Sequence, residues 1–312
     1  DPLAGYALGA APLPREVRAR WPAASDALLD GEPAELARLP LDHSVAPVAT
    51  RGGAPAGRAE LARFVQTKLV RYGEERNEPD AEATSGLSAY LHFGHLSAHE
   101  VFDLVARRAG FERARFPRRT DGRRGAWGVG ESAEEFLDQL VTWRELGHVF
   151  AFHRPDHEQF SSLPAWARAT LAEAADPRAP SVPLEVLERA ETDDELWNAA
   201  QRELLTTGKL HNYLRMLWGK KILEWSPTPE EALARLIHLN NKYALDGRDP
   251  NSYSGIFWCL GRFDRPWGPK RKRFGSVRFM SSASTRRKLA LDGYLARFAA
   301  TRVQQTEMFG EG

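Results

Sequence analysis

The chain has 312 residues, of which 42% are hydrophobic and 27% charged, a composition typical of a folded protein. Its 43 basic and 42 acidic residues nearly cancel, so net charge alone predicts no polyanionic partner. The single cysteine, Cys259, excludes an internal disulfide, a cysteine-based zinc site and a four-cysteine iron–sulfur cluster within one chain. No apolar run approaches roughly 18 residues and no signal peptide is evident, so we expect a cytoplasmic protein without membrane association. The chain does not begin with Met, which suggests a processed, trimmed or partial chain.

Helical signals dominate the chain from about residue 58 onward. Residues 1–57 are rich in Ala, Pro and Gly and are predicted to form an N-terminal extension and linker. Beyond them, apolar residues recur at helical spacing. The predicted fold class is therefore all-α, with one large helical domain at 58–290 and a C-terminal tail at 291–312. Only residues 275–280 resemble a strand, and no parallel α/β domain is predicted.

Start and stop signals divide this domain into helices. The stretch 59–72 places five apolar residues on one helical face, namely Leu61, Phe64, Val65, Leu69 and Val70. Capping patterns predict helix starts at Ser97, Ser132, Thr192 and Thr228. The first two of these helices should reach about Arg108 and Phe152, and Gly208 should end the third.

Positive charge and aromatic rings cluster in one segment. Residues 261–288 contain ten Arg or Lys residues and one acid, Asp264, interleaved with Phe263, Trp267, Phe274 and Phe279. Cations contact phosphates and aromatic rings stack on bases, so the segment suits a nucleic-acid surface. A solvated basic loop beside core aromatics is the alternative. A second basic segment covers residues 113–124.

Two short motifs could bind small ligands. Hydroxyls and backbone N–H groups of Thr84-Ser85-Gly86-Leu87-Ser88 could cradle a phosphate, although such runs also simply cap helices. His92, His95 and His99 share one face if the segment is helical, which is a spacing that could hold a metal. No acidic or cysteine ligand is obvious nearby, so we predict no metal site.

Tryptophans fall at a suggestive spacing. Trp218 and Trp225 are seven residues apart, which places them on one helix face about two turns apart, and Trp197 lies in the preceding helix. Three indoles in a row could pass an electron by short hops. They could equally form an ordinary helix core.

A polar turn follows one of these helices. Residues 246–251 read DGRDPN, and Arg215 on a preceding helix could pair with Asp246 or Asp249. Such groups, if buried, need polar partners, which a polar cofactor could supply. A charged surface turn is the alternative.

Two blocks of residues carry a resemblance to a known family. The first combines LWNAAQ at 196–201, TGKLHNYLRMLWGKKILEW at 207–225, LN at 239–240 and LDGRDPN at 245–251. The second is ATSGLSAYLHFG at 83–94. Over roughly residues 55–290 the chain resembles the photolyase/cryptochrome family, and class II cyclobutane pyrimidine dimer photolyases in particular. The resemblance implies an all-helical FAD-binding fold.

The resemblance also implies cofactor contacts at individual positions. Arg144 would lie beside the flavin, Arg215 and Asp246 would pair under the isoalloxazine ring, and Asn240 would face flavin N5. The implied phosphate clamp consists of Tyr72, Thr84, Ser85, Gly86, Leu87 and Ser88, and further implied FAD contacts are Asn212 and Asp249.

Other positions would serve catalysis and DNA binding. Trp218, Trp197 and Trp225 would be the electron-transfer tryptophans. The positions that would line the lesion pocket or DNA face are Asn77, Trp143, Met216, Trp258, Trp267 and Arg278.

Three departures from the family pattern stand out. Gln139 occupies the position of the pocket glutamate, and a glutamine can hydrogen-bond but cannot share an acidic proton. Asn212 replaces the Gly that class II proteins tend to have. The family's N-terminal α/β antenna domain has no counterpart in these residues, so we expect no antenna chromophore to bind this chain.

The implied activity is that of a deoxyribodipyrimidine photolyase-like lyase. Reduced FAD, excited by near-UV or blue light, would pass an electron to a flipped-out pyrimidine dimer in damaged DNA, and the protein would position the reactants. One alternative is a cryptochrome-like blue-light sensor without repair activity, which Gln139 and the missing domain favour. Another is a flavoprotein that has lost its photochemistry.

Overall fold

Helices form the regular structure of the described chain. The computed structural model describes residues 14–20, 23–112, 124–176, 178 and 181–300. Within these residues the only β-type pairing is an isolated bridge between Arg271 and Gly275, so residues 275–280 are not a strand. The all-α prediction is confirmed.

The chain divides into two compact units between Pro47 and Val48. The described part of the first unit contains three single-turn helices, α1 (Arg15–Arg18), α2 (Asp26–Leu29) and α3 (Pro33–Leu36). The Ser25 side chain caps α2 by accepting the Leu28 backbone N–H. Neither α2 nor α3 contains a buried residue, so neither contributes a core.

The second unit begins with a helical layer around one buried cluster. Its helices are α4 (Ala54–Arg63), α5 (Tyr72–Glu75), α6 (Ser88–His92), α7 (Ala98–Arg108) and α8 (Glu131–Leu137). A π-helical turn, Phe64–Lys68, and a 3₁₀ turn, Leu69–Arg71, continue α4 toward α5. The Phe64, Tyr72 and Phe136 rings pack together with centroids 4.7 to 5.7 Å apart.

Nine further helices follow in the part of this unit that the structure describes. They are α9 (Arg144–His153), α10 (Ala165–Ala174), α11 (Leu184–Glu188), α12 (Glu195–Thr207), α13 (Asn212–Trp225), α14 (Pro229–Tyr243), α15 (Pro250–Cys259), α16 (Ser282–Lys288) and α17 (Asp292–Arg297). A second π-helical turn, Asp138–Trp143, joins α8 to α9. Helices α12 to α15 surround the larger buried cluster, in which Trp197, Leu214, Leu236 and Phe257 are fully buried.

The first π-helical turn explains one error of the helical pattern. Leu61, Phe64, Val65 and Leu69 are buried as predicted, but Val70 is 82% exposed. A π-helical turn contains more residues than an α-helical turn, so the buried face shifts along the chain after residue 64. A fixed 3.6-residue period therefore assigns the wrong side to Val70.

The capping predictions succeed in part. Ser97 and Thr228 cap α7 and α14 as predicted, and Gly208 ends α12 with φ +66°. Asp194 rather than Thr192 caps α12. The Ser132 prediction is wrong because its hydroxyl donates to the Val70 carbonyl and accepts the Gly73 N–H instead.

Helical structure extends beyond both predicted limits of the domain. Helix α4 begins at Ala54, inside the predicted linker, with a proline in its first turn where the missing N–H costs nothing. Helix α17 lies inside the predicted tail. The domain boundaries at 57/58 and 290/291 stay predictions.

Helix α17 is held by polar contacts to Asp80 and Glu203. The Asp80 carboxylate accepts the backbone N–H groups of Gly293 and Tyr294, and the buried Tyr294 hydroxyl donates to Glu203 Oε2 at 2.6 Å. The same oxygen accepts the His211 backbone N–H at 3.0 Å. Burial raises the pKa of the Glu203 carboxyl above its usual 4.5.

Glu203 makes folding stability depend on pH. Because its folded-state pKa is raised, the unfolded chain loses the proton first, and the free energy of unfolding falls as the pH rises above about 4.5. A difference of one pKa unit between the two states corresponds to about 1.4 kcal/mol. We expect Glu203→Gln, whose amide oxygen can still accept both hydrogen bonds, to gain stability relative to wild type between pH 4.5 and 7. Urea unfolding at several pH values checks this, and a pH-independent difference would contradict it.

Candidate functional site

A cavity of about 930 Å³ lies within the second unit, in the range of roughly 300–1,000 Å³ usual for ligand sites. Both buried clusters contribute to its wall, through α5 on one side and α13 and α15 on the other. The cavity brings together residues that the sequence singled out separately. These are Tyr72, Asn77, Thr84, Ser85, Gly86, Leu87, Ser88, Gln139, Trp143, Asn212, Arg215, Met216, Asp246, Trp258 and Arg278.

The loop at 84–88 forms one wall of the cavity and is held from behind by α4 and its π-helical turn. The Lys68 ammonium donates to the Thr84 carbonyl at 3.2 Å. Gly86 has φ +71°, and a Cβ atom there would lie 2.9 Å from Glu60 Oε1, so this position favours glycine. The loop therefore presents hydroxyl groups to the cavity in a fixed conformation.

An ion pair lies on the wall formed by α13. Arg215 Nη2 is 3.2 Å from Asp246 Oδ1, and both side chains are largely withdrawn from solvent. The sequence left open whether Arg215 pairs with Asp246 or Asp249, and the structure pairs it with Asp246. A charged pair at a partly dry wall suits a polar, planar ligand.

The second π-helical turn shapes the aromatic corner of the cavity. It places Gln139 and Trp143 on the cavity wall, and Trp143 Nε1 donates to Asp138 Oδ2 at 2.8 Å. The Trp143 and Trp258 rings lie 4.9 Å apart at 54°. Phe263 continues this aromatic surface 6.3 Å from Trp258. Such rings can hold a flat heterocycle by stacking.

Arg262 supports this corner from the interior. Its guanidinium lies 3.6 Å from the Phe257 ring centroid and 4.2 Å from that of Phe150, and it donates to the His157 carbonyl. Burial lowers the pKa of Arg262 to about 9. Its Nη2 also donates to the Ser162 hydroxyl, whereas its buried Nε has no hydrogen-bond partner among the described residues, and these contacts anchor the segment that leads into Phe263.

Three predicted cofactor residues do not line the cavity. Arg144 pairs with Glu145 at 2.6 Å. Asp249 caps α15 through the Asn251 N–H and contacts His92 at 3.3 Å. Asn240 is buried behind the wall, where its amide exchanges hydrogen bonds of 2.7 and 3.0 Å with the Ser252 hydroxyl. Asn240 therefore orients Ser252, which does line the cavity.

The three predicted electron-transfer tryptophans form a continuous row. The Trp218 and Trp197 rings are parallel, 2° apart in plane, with centroids separated by 6.5 Å. Trp197 and Trp225 meet edge to face at 5.3 Å. Trp197 Nε1 donates to the Trp218 carbonyl, and Trp218 Nε1 donates to Gln201 Oε1. The row starts on α13, two residues after the cavity residue Met216, and ends at the partly exposed Trp225.

Trp267 lies in a basic cluster at the cavity rim. Its ring is flanked by Arg265 at 4.6 Å and by the cavity residue Arg278 at 4.1 Å. Its Nε1 donates to Asp264 Oδ1, and Asp264 pairs with Arg278 at 3.4 Å. Of the second basic segment, 113–123 lies outside the described residues, and Arg124 pairs with Glu131 and Glu135.

Sequence reasoning missed several cavity residues, including Arg76, Glu203, Lys209, His211 and Tyr213. Arg76 pairs with Glu135 at 2.9 Å, and burial lowers the pKa of His211 to about 4, so this imidazole is neutral at neutral pH. The short polar loop at 208–211, which joins α12 to α13, was the signal that could have found Lys209 and His211. Both helices contribute residues to the cavity, so the loop between them also borders it.

The predicted histidine face forms no metal cluster. His92 contacts Asp249, and His95 Nδ1 accepts the Gly53 N–H. Across the described ranges, no group of three His, Cys, Asp or Glu side chains is arranged to hold a metal ion. No described helix has both the length and the apolar character needed to cross a membrane.

The close approach at Gly208 can be tested by substitution. Gly208 has φ +66°, and a Cβ atom there would lie 2.6 Å from Leu245 Cγ. We expect Gly208→Ala to lower the free energy of unfolding by roughly 1–3 kcal/mol, measured by urea denaturation. Gly94 has a similar φ of +68° with no atom within 4 Å of the added Cβ. Gly94→Ala therefore measures the free-energy cost of an alanine at positive φ without any steric contact. Equal losses in the two variants would show that the contact with Leu245 is unimportant.

The chain is similar in sequence to several proteins named deoxyribodipyrimidine photo-lyase. It is 38% identical over 252 residues to that of Methanothermobacter thermautotrophicus, covering 80% of this chain and 52% of the relative. Identity to the Oryza sativa subsp. japonica protein is 41% over 236 residues, covering 75% and 43%. For Potorous tridactylus the identity is 37% over 255 residues, covering 81% and 44%. The chain thus spans about half the length of these curated relatives. No protein-family model matches it.

Two solved structures share the fold. A bacterial class III photolyase from Agrobacterium tumefaciens superposes with a TM-score of 0.58 at 19% identity, covering 79% of this chain and 44% of the other. The cryptochrome of Synechocystis sp. PCC6803 gives a TM-score of 0.58 at 18% identity, covering 84% and 48%. At these identities the likeness establishes the helical architecture.

Proposed function

This chain belongs to the photolyase/cryptochrome family, and we propose that it uses FAD and light to split cyclobutane pyrimidine dimers in DNA. One observation carries the proposal. A single cavity brings together the hydroxyl-bearing loop at 84–88, the Arg215–Asp246 pair and the Trp143–Trp258 corner, and a row of tryptophans leads from the adjoining helix toward the surface.

The cavity fits a flavin dinucleotide in size and chemistry. The loop at 84–88 offers hydroxyls and backbone N–H groups at the cavity wall, which suits the pyrophosphate. The Arg215–Asp246 pair offers a donor and an acceptor for the polar edge of the ring, and Asn212 and Ser252 offer further polar groups. Asn240 would act on the ring through Ser252 or after a side-chain rearrangement. Bound reduced FAD supplies the light absorption and the transferable electron.

The remaining wall residues would bind the lesion. Trp143 and Trp258 would stack on the two joined pyrimidines, and Met216 would fill the space against them. Asn77 can hydrogen-bond to base carbonyls. The two indole rings would also exclude water from the dimer, so that the transferred electron is not lost before the cyclobutane ring splits.

Gln139 changes how the dimer is stabilised. A protonated glutamate could share its proton with a negatively charged base, whereas the glutamine amide can only donate a hydrogen bond. We expect this chain to bind the dimer in the same position but to stabilise its added charge less well.

The rim cluster would hold the DNA around the extruded lesion. Arg265 and Arg278 flank Trp267, so cations that can reach phosphates lie beside a ring that can stack on a base. Extruding the dimer costs a few kcal/mol, less than for an intact stacked pair, as in other photolyases. This difference favours damaged sites.

The repair proposal is tested with purified, FAD-loaded protein and dimer-containing DNA. We expect blue light to remove dimers, counted by chromatography of the digested DNA, and darkness to leave them. Gln139→Glu should raise the repaired fraction per absorbed photon, because the acid can share a proton with the dimer. Intact dimers with both proteins, despite bound and photoreduced flavin, would refute the proposal.

The tryptophan row has its own test. We expect Trp218→Phe to abolish photoreduction of oxidised FAD while FAD stays bound, because phenylalanine is a much poorer electron donor. Absorption spectra before and after blue light in the presence of a thiol check this. Trp166→Phe, on α10, is the matched control and should photoreduce normally. Normal photoreduction in Trp218→Phe would show that the row is not the electron path.

A second candidate function is blue-light sensing without repair, and Gln139 is the observation that favours it. In that case the flavin would photoreduce, dimers would remain, and light would change the association of the protein with a partner. Efficient repair without such a change would eliminate this candidate.

A further inference from the structure

Trp225 forms the outer end of the tryptophan row and differs from the other two tryptophans. It borders a surface cleft whose other lining residues are Asp193, Asp194, Glu195, Lys221 and Arg286. Its indole N–H has no acceptor among the described residues, whereas those of Trp197 and Trp218 donate to a carbonyl and an amide oxygen. Amide oxygens are very weak bases and cannot keep a proton at neutral pH. Only the outer ring can therefore release its proton to water.

Lys221 places a positive charge over this ring. Its Nζ lies 4.6 Å from the Trp225 ring centroid. The ammonium is held by Glu224 Oε2 at 2.7 Å and Asp194 Oδ2 at 3.6 Å, and its side chain is only 13% exposed. The cation is thus fixed and partly dehydrated, which strengthens its effect on the ring.

The same contact has opposite effects on the two redox states of the ring. A cation attracts the electron-rich face of a neutral indole. Once the ring has lost an electron it is itself positive, and a neighbouring positive charge favours its deprotonated, uncharged form. We propose that Lys221 is a positioning residue that holds Trp225 in the row and promotes loss of the Nε1 proton after the ring is oxidised.

This inference rests on the proposed function, because the row must be oxidised by the excited flavin. The electron leaves Trp225 for the oxidised Trp197, and the Nε1 proton passes to water, which leaves a neutral Trp225 radical. An external thiol then returns one electron and one proton to Trp225 and becomes a thiyl radical. Loss of the proton prevents the electron from returning along the row, so the flavin remains reduced.

Other charges around Trp225 oppose or assist Lys221. The carboxylates of Asp193, Asp194, Glu195 and Glu224 favour the radical cation over its deprotonated form. Without the Lys221 charge, their effect would dominate and the radical cation would keep its proton longer. Arg286 borders the cleft, and the Arg235 guanidinium donates to the Trp225 carbonyl at 3.4 Å. Lys221 is the cation positioned over the ring face itself.

The test compares Lys221→Gln with wild type by flash spectroscopy of the FAD-loaded protein. We expect the Trp225 radical cation to live roughly three to ten times longer in Lys221→Gln, and Lys221→Arg to restore the wild-type lifetime. Lys242→Gln is the matched control, because Lys242 also lies over an aromatic ring, Tyr243 at 5.1 Å, and pairs with a glutamate. An unchanged lifetime in Lys221→Gln, or an equal change in Lys242→Gln, would overturn the proposal.

A second measurement does not need flavin. Azide radicals oxidise exposed tryptophans, and subtracting the signal of Trp225→Phe isolates Trp225 in the flavin-free chain. We expect the pKa of the Trp225 radical cation to be higher in Lys221→Gln than in wild type. An equal pKa would overturn the role of Lys221 even if no flavin were bound. If the protein bound no flavin but the pKa of the Trp225 radical cation were still raised in Lys221→Gln, the result would count against the proposed function and not against the role of Lys221.

Discussion

The contact between α13 and α15 positions both the cavity wall and the tryptophan row. A Cβ atom at Gly219 would collide with Cys259 Sγ, so a side chain at position 219 would force the two helices apart. Next to it, the fully buried Lys220 donates to the Cys259 carbonyl at 2.7 Å, and burial lowers the pKa of this lysine to about 8. The ammonium satisfies a carbonyl at the end of α15, where the helix itself leaves acceptors free. These contacts fix Trp258, on α15, relative to Trp218, on α13.

In the proposed function, helix α13 would serve both the binding of the flavin and the supply of electrons. Arg215 and Met216 face the cavity, while Trp218 and Trp225 belong to the row. A rigid helix keeps the two functions at a constant separation. The proposed photochemistry needs this rigidity, because electron transfer by short hops depends steeply on the distance between rings.

Much of the fold and part of the site could be predicted from the sequence. Local signals such as the Thr228 cap and the terminal Gly208 act within one helix turn, and the structure confirms them. The resemblance located many of the residues that share the cavity, but Arg144, Asn240 and Asp249 lie outside it. Features that depend on tertiary contacts were missed or misassigned, because nothing in the local sequence reports them. Ser132 uses its hydroxyl for a neighbouring segment, and the π-helical turns at 64–68 and 138–143 change the helical period.

The contacts of α17 tie this helix to a residue of the cavity wall. Tyr294 donates to Glu203, a cavity residue, and Asp80 caps the same helix from a segment between Asn77 and the loop at 84–88. Cutting the chain at residue 290, where composition alone ends the domain, would remove the donor to a buried carboxyl and let water reach it. Tags or fused partners are better joined after residue 300, since α17 supports Glu203, which lines the cavity.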